Sequence, residues 1–260
     1  MVVALTAAEP VIKEIPWDLY HWLVQTFTLR GNALAAVLIG ISILCMLIPY
    51  FMGSINPAIM ISKLVYHDDI RLHGSGNAGS TNMLRTYGKK AAVATFAGDI
   101  LKAALAVVIG GLLMGQSGAS IAGFFVGFGH MFPAYYRFRG GKGVACYATV
   151  ALMISPFTFL GILSVFIIVL VGTKFVSLAS VMAALLYPLF MNAFSPNFSL
   201  AVAMAVVEAC FVVFMHRENL RRIWNHEESR FDFSKLKIGK KKKKQAESAA
   251  EDGEDGENHA

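Results

Sequence analysis

The run "ALAAVLIGISILCMLIPYFMGSINPAIMISKLVY" fills residues 33–66. It is apolar and continuous, and it is longer than the roughly 20 residues one helix needs to cross a bilayer. Gly53, Ser54, Asn56 and Pro57 interrupt it. A kink is expected there, because proline removes a backbone donor and crowds the preceding turn. Further apolar segments follow at 91–114, 119–136, 143–155, 157–172, 175–193 and 198–215. None alternates polar and apolar residues as a barrel strand would.

The whole chain agrees with this reading. Of 260 residues, 56% are hydrophobic and only 15% are charged, against about 25% charged in a soluble domain. Mean hydropathy is +0.56. So much apolar surface cannot be hidden in one soluble core of this size. The expected fold class is all-α: a polytopic membrane helical bundle of about seven transmembrane helices. The fourth and fifth segments are short and could be tilted or incomplete, so five to seven spans fit and seven is the expectation.

Charge gives the orientation. With seven spans, residues 67–90, 137–142, 173–174 and 216–260 share one side. That side carries Arg71, Arg85, Lys89, Lys90, Arg137, Arg139, Lys142, Lys174 and a basic tail, whereas the other has only Lys13 and Arg30. Cytoplasmic loops are enriched in lysine and arginine. The N-terminus is therefore expected outside, and the C-terminus in the cytoplasm. Three regions follow. Residues 1–32 form an N-terminal extension, whose aromatic "IPWDLYHWLVQTFTL" suggests an interfacial helix over 12–30. Residues 33–228 form the membrane-embedded part. Residues 229–260 form a basic and then acidic tail expected to be disordered, with "KKKK" followed by "EDGEDGEN". The first residues do not read as a signal peptide, since Lys13 is outnumbered by Glu9, Glu14 and Asp18. Cys45, Cys146 and Cys210 form no CxxC or Cys/His cluster, so they read as small buried hydrophobes. No disulfide framework and no metal site is expected.

Polar residues collect on the cytoplasmic side in four patches. The first is "GSGNAGSTN" at 74–82, followed by Arg85. Glycine lets backbone N–H groups approach an anion, and arginine offers a fork for phosphate. The second is "GHMFPAYYRFRGGKG" at 129–143, where Arg137, Arg139 and Lys142 surround the Gly140-Gly141 turn. A nucleotide P-loop would have glycine four residues before the Gly-Lys pair and Ser/Thr after the lysine. Tyr136 and Gly143 stand there instead. The third is "TKFVSLAS" at 173–180, with Ser177 and Ser180 on one helix face. The fourth is "HRENLRR" at 216–222, where His216, Asn219 and Arg222 are spaced by three. Within the spans, Asp99 and Lys102 are three apart and can pair, and Glu208 stands without an evident role. No Ser-His-Asp order and no carboxylate cluster for metal appears, and Asp68-Asp69 is only a weak pair. Together the patches imply one or two phosphate-bearing substrates at the cytoplasmic boundary. A transporter would place its polar groups near mid-membrane, and a metal-dependent phosphotransferase would need clustered carboxylates.

These motifs resemble those of the acyl-phosphate-dependent glycerol-3-phosphate acyltransferase (PlsY) family, over about residues 45–228. "GSGNAGSTNMLRTYGKK" is similar to its first motif, "GHMFPAYYRFRGGKGVAC" to its second and "HRENLRRIWNHEE" to its third. "GSINPAIMISK", with Ser54, and the Ser177–Ser180 segment also look like family segments. Ser80, Arg139 and Cys146 depart mildly from the pattern. His226 stands where the family has glycine, which puts the local turn and the role of Glu228 in question.

The resemblance implies a seven-span enzyme of the bacterial inner membrane with its site facing the cytoplasm. It implies acyl transfer from acyl phosphate to the sn-1 hydroxyl of glycerol 3-phosphate, the first step of phospholipid synthesis. No cofactor and no nucleic acid is implied. The partners are the two substrates, membrane lipid and the soluble enzyme that makes acyl phosphate. His130, Lys142, His216 and Asn219 are the expected catalytic residues. Substrate binding is expected from Ser54, Ser75, Gly76, Asn77, Asn82, Arg85, Arg139, Gly140, Gly141, Gly143, Ser177, Ser180 and Arg222. Asp99, Lys102 and Glu228 are expected as structural support. Which patch takes which phosphate stays open. So does the base, either a histidine or a substrate phosphate oxygen; the latter is favoured because the sequence shows no carboxylate–histidine pair.

Overall fold

A computed structural model describes residues 18–195 and 199–231. Among them are ten α-helices, two short 3-10 turns at Ile70–Leu72 and Ala134–Tyr136, and no strand: α1 Leu19–Phe27, α2 Gly31–Ser54, α3 Pro57–Val65, α4 Ser80–Thr86, α5 Lys89–Met131, α6 Val144–Ile154, α7 Pro156–Thr173, α8 Val176–Phe194, α9 Ser199–Met215 and α10 Arg217–Trp224. The stretch expected as an interfacial helix over 12–30 is described only from Asp18, which caps α1 by accepting from the His21 N–H. The basic-then-acidic tail lies outside the described residues.

The long first run breaks where expected. α2 ends at Ser54, and Asn56 caps α3 by accepting the Ile59 N–H at 3.1 Å, with Pro57 at the first helical position. A helix end in an apolar setting leaves carbonyls that need donors. Lys102 supplies them: its Nζ donates to Gly53 O at 3.2 Å and Ile55 O at 2.9 Å.

α5 is one helix by hydrogen bonding but not in shape. Met114 (φ −149°) and Gly115 (φ 55°, ψ −144°) reverse the chain. Glycine alone takes the second conformation readily. The limbs 89–113 and 116–131 fold back on each other, and Gly110 and Gly118 meet so closely that a Cβ on either would overlap the other's backbone. A straight helix would hold residues 102 and 130 roughly 42 Å apart. Here Lys102 Nζ and His130 Nδ1 are 2.8 Å apart. Small residues let helices approach closely where no aqueous hydrophobic drive exists. Gly53 against Val126 and Gly129 against Tyr50 pack α2 on α5 in the same way.

The remaining helices wrap this pair. α6 is 11 residues long, about 16 Å, shorter than a typical membrane-spanning helix. Ser155 ends it and caps α7, accepting from Thr158 N–H and hydroxyl. A 51° bend at His216 separates α9 from α10. By length and composition, 31–65, 89–136, α7 and α8 are apolar enough to cross a membrane, with the bent pair α9–α10 as a fifth candidate. The exposed face of α2 carries Ile39, Ile43, Leu47 and Phe51, and that of α7 carries Leu160, Ile168 and Val171. Polar Asp99, Lys102, His130, Glu208 and His216 are buried. An apolar exterior over a polar interior is the arrangement of a protein solvated by lipid.

Candidate active site

The four patches converge on one cavity of about 390 Å³, bounded by loop 75–82, α4, α5, α6, α7, α8, α9 and α10. Its polar end holds Ser75, Asn77, Arg85, Lys142, Ser177, His216 and Asn219. Its other end is walled by Phe159, Ile162, Leu163 and Phe166 of α7 and Ala183 and Ala184 of α8.

Two braces hold the polar end. In the first, the Asn56 amide donates to Ala78 O at 3.3 Å, and Asn82 donates to Ile70 O and His73 O while accepting the Ser75 N–H. The Asn82 side chain lines the cavity, but its amide is engaged in shaping the loop. In the second, Arg71 pairs with Asp69 and donates to Tyr136 O and Arg139 O, tying loop 67–79 to loop 134–142. Hydrogen bonding from Arg71 holds the Asp69 carboxyl down at about 2.

Lys142 donates to Asn219 Oδ1, and Asn219 Nδ2 donates to Glu228 Oε1 at 2.7 Å. Ser177 Oγ donates to the same Oε1 at 2.8 Å, and Arg222 Nε donates to Oε2 at 2.8 Å. Glu228 is thus the acceptor that gathers three of the four patches. Burial pushes its carboxyl up, but the hydrogen bonds from Asn219, Arg222 and Ser177 outweigh this and hold it below the ordinary carboxylate range. Burial holds the Lys142 ammonium down at about 8; Glu228 opposes the shift, while Arg222 and Arg85 add to it. A lysine so placed gains from an incoming phosphate. Arg85 is exposed at the rim and makes no hydrogen bond among the described residues.

His226, doubtful because the family has glycine there, takes φ 60°. It adopts the left-handed conformation that glycine would supply. The turn forms, and Glu227 and Glu228 N–H groups both donate to Arg222 O.

The two histidines differ. His216 Nδ1 donates to Val212 O at 2.8 Å, since a carbonyl only accepts, and this leaves Nε2 with its lone pair in the neutral ring. His130 Nδ1 sits 2.8 Å from Lys102 Nζ and 3.1 Å from Asp99 Oδ1, and Lys102 pairs with Asp99 at 2.9 Å. The sequence pairing of Asp99 with Lys102 is present. The expectation of no carboxylate–histidine pair is corrected: Asp99 and His130 meet because α5 doubles back. Asp99, His130 and Cys146 present ligand atoms within 4.8 Å of one another. The Lys102 cation already stands between Asp99 and His130, so the group suits an ammonium better than a metal ion.

Other expectations are also revised. Gly140 and Gly141 do not line the cavity, and their N–H groups donate to Met131 O at 3.2 Å and His130 O at 3.1 Å. A Cβ on Gly141 would strike the His130 ring and lie 2.8 Å from Ala78 O. These glycines let the loop press on His130; they do not offer donors to phosphate. Gly143 does line the cavity, at φ 77°. Gly76 lies outside the lining, its N–H donating to His73 O. Ser54 is buried in the α2–α3 break, donating to Tyr50 O and accepting from Ala134 N–H. Arg139 belongs to an outer groove with Asp69, Arg71 and Arg137. Arg222 acts through Glu228. Ser180 lines the cavity, with its hydroxyl donating back to Val176 O. The sequence reading missed Ser80, Thr81 and Tyr147 and the apolar wall of α7, all of which line the cavity. In the sequence Ser80 stands out only as a departure from the family pattern.

Fold and cavity define the class: a polytopic helical membrane protein with a cavity that joins a cationic, hydroxyl-rich mouth to an apolar interior. Residues 43–226 match the glycerol-3-phosphate acyltransferase family. A glycerol-3-phosphate acyltransferase of Thermoanaerobacter sp. (strain X514) is 41% identical over 189 residues, which cover 73% of this chain and 95% of the relative. That of Bacillus subtilis (strain 168) is 39% identical over 185 residues, covering 71% and 95%. Two crystal structures of PlsY (YgiH), described as an integral membrane glycerol 3-phosphate acyltransferase, share the fold. The glycerol 3-phosphate form has a TM-score of 0.69 at 32% identity, covering 75% of this chain and 98% of that one. The lysophosphatidic acid form has a TM-score of 0.67 at 31% identity, covering 76% and 98%. The chain belongs to the glycerol-3-phosphate acyltransferase family of the PlsY type.

Proposed function

We propose that this chain transfers a fatty acyl group from acyl phosphate to the sn-1 hydroxyl of glycerol 3-phosphate, giving 1-acylglycerol 3-phosphate and inorganic phosphate. The observation that carries the reading is a cavity with Lys142, Asn219 and Ser177 at one end and the α7 wall at the other. Such a cavity suits a phosphate head and a hydrocarbon chain at once. Family membership and the glycerol 3-phosphate and lysophosphatidic acid forms of the PlsY structures support the acceptor and product classes.

The chemistry needs no covalent intermediate, because acyl phosphate is already an activated mixed anhydride. The acceptor hydroxyl oxygen bonds to the acyl carbon, the bond from that carbon to the phosphate oxygen breaks, and phosphate leaves with the electron pair. The enzyme's task is to bring two anions together and to stabilise the oxyanion and the leaving phosphate. Lys142, held by Asn219 and Glu228, is assigned to a phosphate. Asn77, Arg85 and the Ser75–Thr81 hydroxyls are assigned to the other end of the polar mouth.

The hydroxyl proton is assigned to a phosphate oxygen of the acyl phosphate. His216 is the second reading, favoured by its free Nε2. The Asp99–His130–Lys102 cluster is assigned to support, because it also holds the α2–α3 break.

The protein is placed in the bacterial cell membrane with seven spans, the N-terminus outside and the mouth of the cavity facing the cytoplasm. Three observations support this. Arg85 and Lys142 line the polar end of the cavity, and Arg71, Arg137 and Arg139 line the outer groove, to which Arg71 ties loop 134–142. Asp18, just before α1, lies against the Gly115 turn. The reversal in α5 makes two limbs of what length alone would treat as one span. A soluble enzyme making acyl phosphate is the upstream partner that this donor requires.

The decisive experiment supplies purified protein with acyl phosphate and labelled glycerol 3-phosphate, and follows labelled lysophosphatidic acid. Product from acyl-CoA but not from acyl phosphate would overturn the donor assignment.

A further inference from the structure

The outer groove is used by none of the chemistry above. It is lined by Asp69, Arg71, Leu72, Arg137 and Arg139, has a volume of about 420 Å³, and shares no lining residue with the catalytic cavity. Its charges do not balance. Asp69 is taken up by Arg71, through Nε at 2.9 Å and Nη2 at 2.6 Å, and Lys63 acts on the same carboxyl. The side chains of Arg137 and Arg139 make no hydrogen bond or ion pair among the described residues. Two guanidinium groups are left over, in a groove whose one carboxylate is already neutralised.

The turn that carries them is held in a costly conformation. Arg137 and Phe138 both take φ 56°, although neither is glycine. Phe138 N–H donates to Pro133 O at 3.0 Å, and Arg139 N–H donates to Tyr136 O at 3.3 Å. The turn leaves Arg137, Phe138 and Arg139 all exposed, Phe138 by 61%. Just before it, Tyr135 is 56% exposed and sets its ring against Phe51, with centroids 6.2 Å apart. Phe51 belongs to the exposed apolar face of α2, three residues before that helix ends. The groove therefore adjoins the end of a lipid-facing surface. Tyrosines settle there, at the level of the lipid headgroups.

We propose that this groove binds the phosphodiester headgroup of an anionic phospholipid from the surrounding leaflet. Arg137 and Arg139 take the phosphate, since a guanidinium fork matches its oxygens. Tyr135 and Phe138 stand beside the apolar part of the lipid, a contact that a free phosphate ion could not use. A zwitterionic headgroup would bring its own cation to the two arginines, so net negative charge is selected. The site is built on the Arg71 brace, which donates to Tyr136 O and Arg139 O. Lys142 follows Arg139 by three residues, so a bound lipid holds the loop that presents it.

The test needs no turnover and does not depend on the acyl donor. The full chain is melted in uncharged detergent while phosphatidylglycerol is added, and phosphatidylcholine is added in parallel. Anything that binds the folded state alone raises the melting temperature. A rise of about 3–6 °C is expected at ten times the half-saturating fraction of phosphatidylglycerol, with little from phosphatidylcholine. Arg137→Gln combined with Arg139→Gln should lose most of the rise, and Arg137→Gln alone serves if the double variant does not fold. Arg221→Gln, an exposed arginine on α10, should keep it. The proposal is overturned if wild type shows no rise, if phosphatidylcholine matches phosphatidylglycerol, or if the groove variant rises as wild type does. An equal loss in Arg221→Gln would mean diffuse attraction to a basic surface and would also overturn it. Inorganic phosphate is the last arm. A rise with it that vanishes in the groove variant would make this a site for soluble anions and overturn the lipid assignment.

Discussion

Lys142 carries the heaviest assignment of any single residue. Lys142→Ala should abolish phosphate release from acyl phosphate plus glycerol 3-phosphate. Near-normal turnover in a folded variant would remove the lysine from the mechanism. Its ammonium is held down at about 8 by burial, so the cation is lost as pH rises through that value. Anion binding should weaken with it, and kcat/KM should fall above about pH 8. Lys142→Arg cannot lose its charge there, so in whatever activity it keeps, that limb should vanish from the pH–rate profile. Glu228 works one step back. Glu228→Ala would strand Ser177, Asn219 and Arg222, and about 10- to 100-fold in kcat/KM is expected from lost charge-assisted hydrogen bonds. His216→Gln decides the proton's route. A general base contributes about 10²–10⁴-fold. A smaller loss with an unshifted acid limb favours the phosphate oxygen. The types of these residues were visible in four short motifs. Their division of labour was not, because Glu228 lies 86 positions from Lys142 in sequence and the two are joined through Asn219.

Breaks in helices matter as much as the helices themselves. The stop at Ser54–Pro57 was legible, since proline and asparagine write it into the chain. What satisfies the stop was not: Lys102, 47 residues on from Ile55, donates to the freed carbonyls. Lys102→Met should leave them unpaired in an apolar setting and lower thermal stability markedly, measured by melting in detergent. The Gly140-Gly141 turn looked like a phosphate cradle and proved to be a close approach to His130. Gly141→Ala should cost about 1–3 kcal/mol from overpacking. It should disturb His130 without altering the affinity of Lys142 for phosphate. At the third motif, His226 holds φ 60° where glycine is relaxed. His226→Gly should raise the melting temperature, because a non-glycine residue in this region carries roughly 1–2 kcal/mol of strain. A lower melting temperature would show that the imidazole makes a compensating contact.

For the molecule as a whole, orientation is the testable quantity. In a Cys210→Ser background, with Cys45 and Cys146 buried, Leu72→Cys should react with an impermeant thiol reagent only from the cytoplasmic side, and Phe27→Cys only from outside. Labelling of both from one side would require an even number of crossings between residues 27 and 72, and so a different topology. The apolar runs alone determined an all-helical membrane protein, because a chain with so few charges has no other solvent. The lysine and arginine bias sets the expected side for the chemistry, the cytoplasm, and the motifs determined the family. Tertiary structure alone decided which polar groups meet. Asp99 joins His130 only because Gly115 reverses α5, and a reversal inside an apolar run leaves hydropathy unchanged. Likewise, α7 looks like any other lipid-facing segment until its neighbours place one face against the cavity and the other outside. Composition records how much of a chain must leave water, but not which of two apolar faces meets lipid and which meets a substrate.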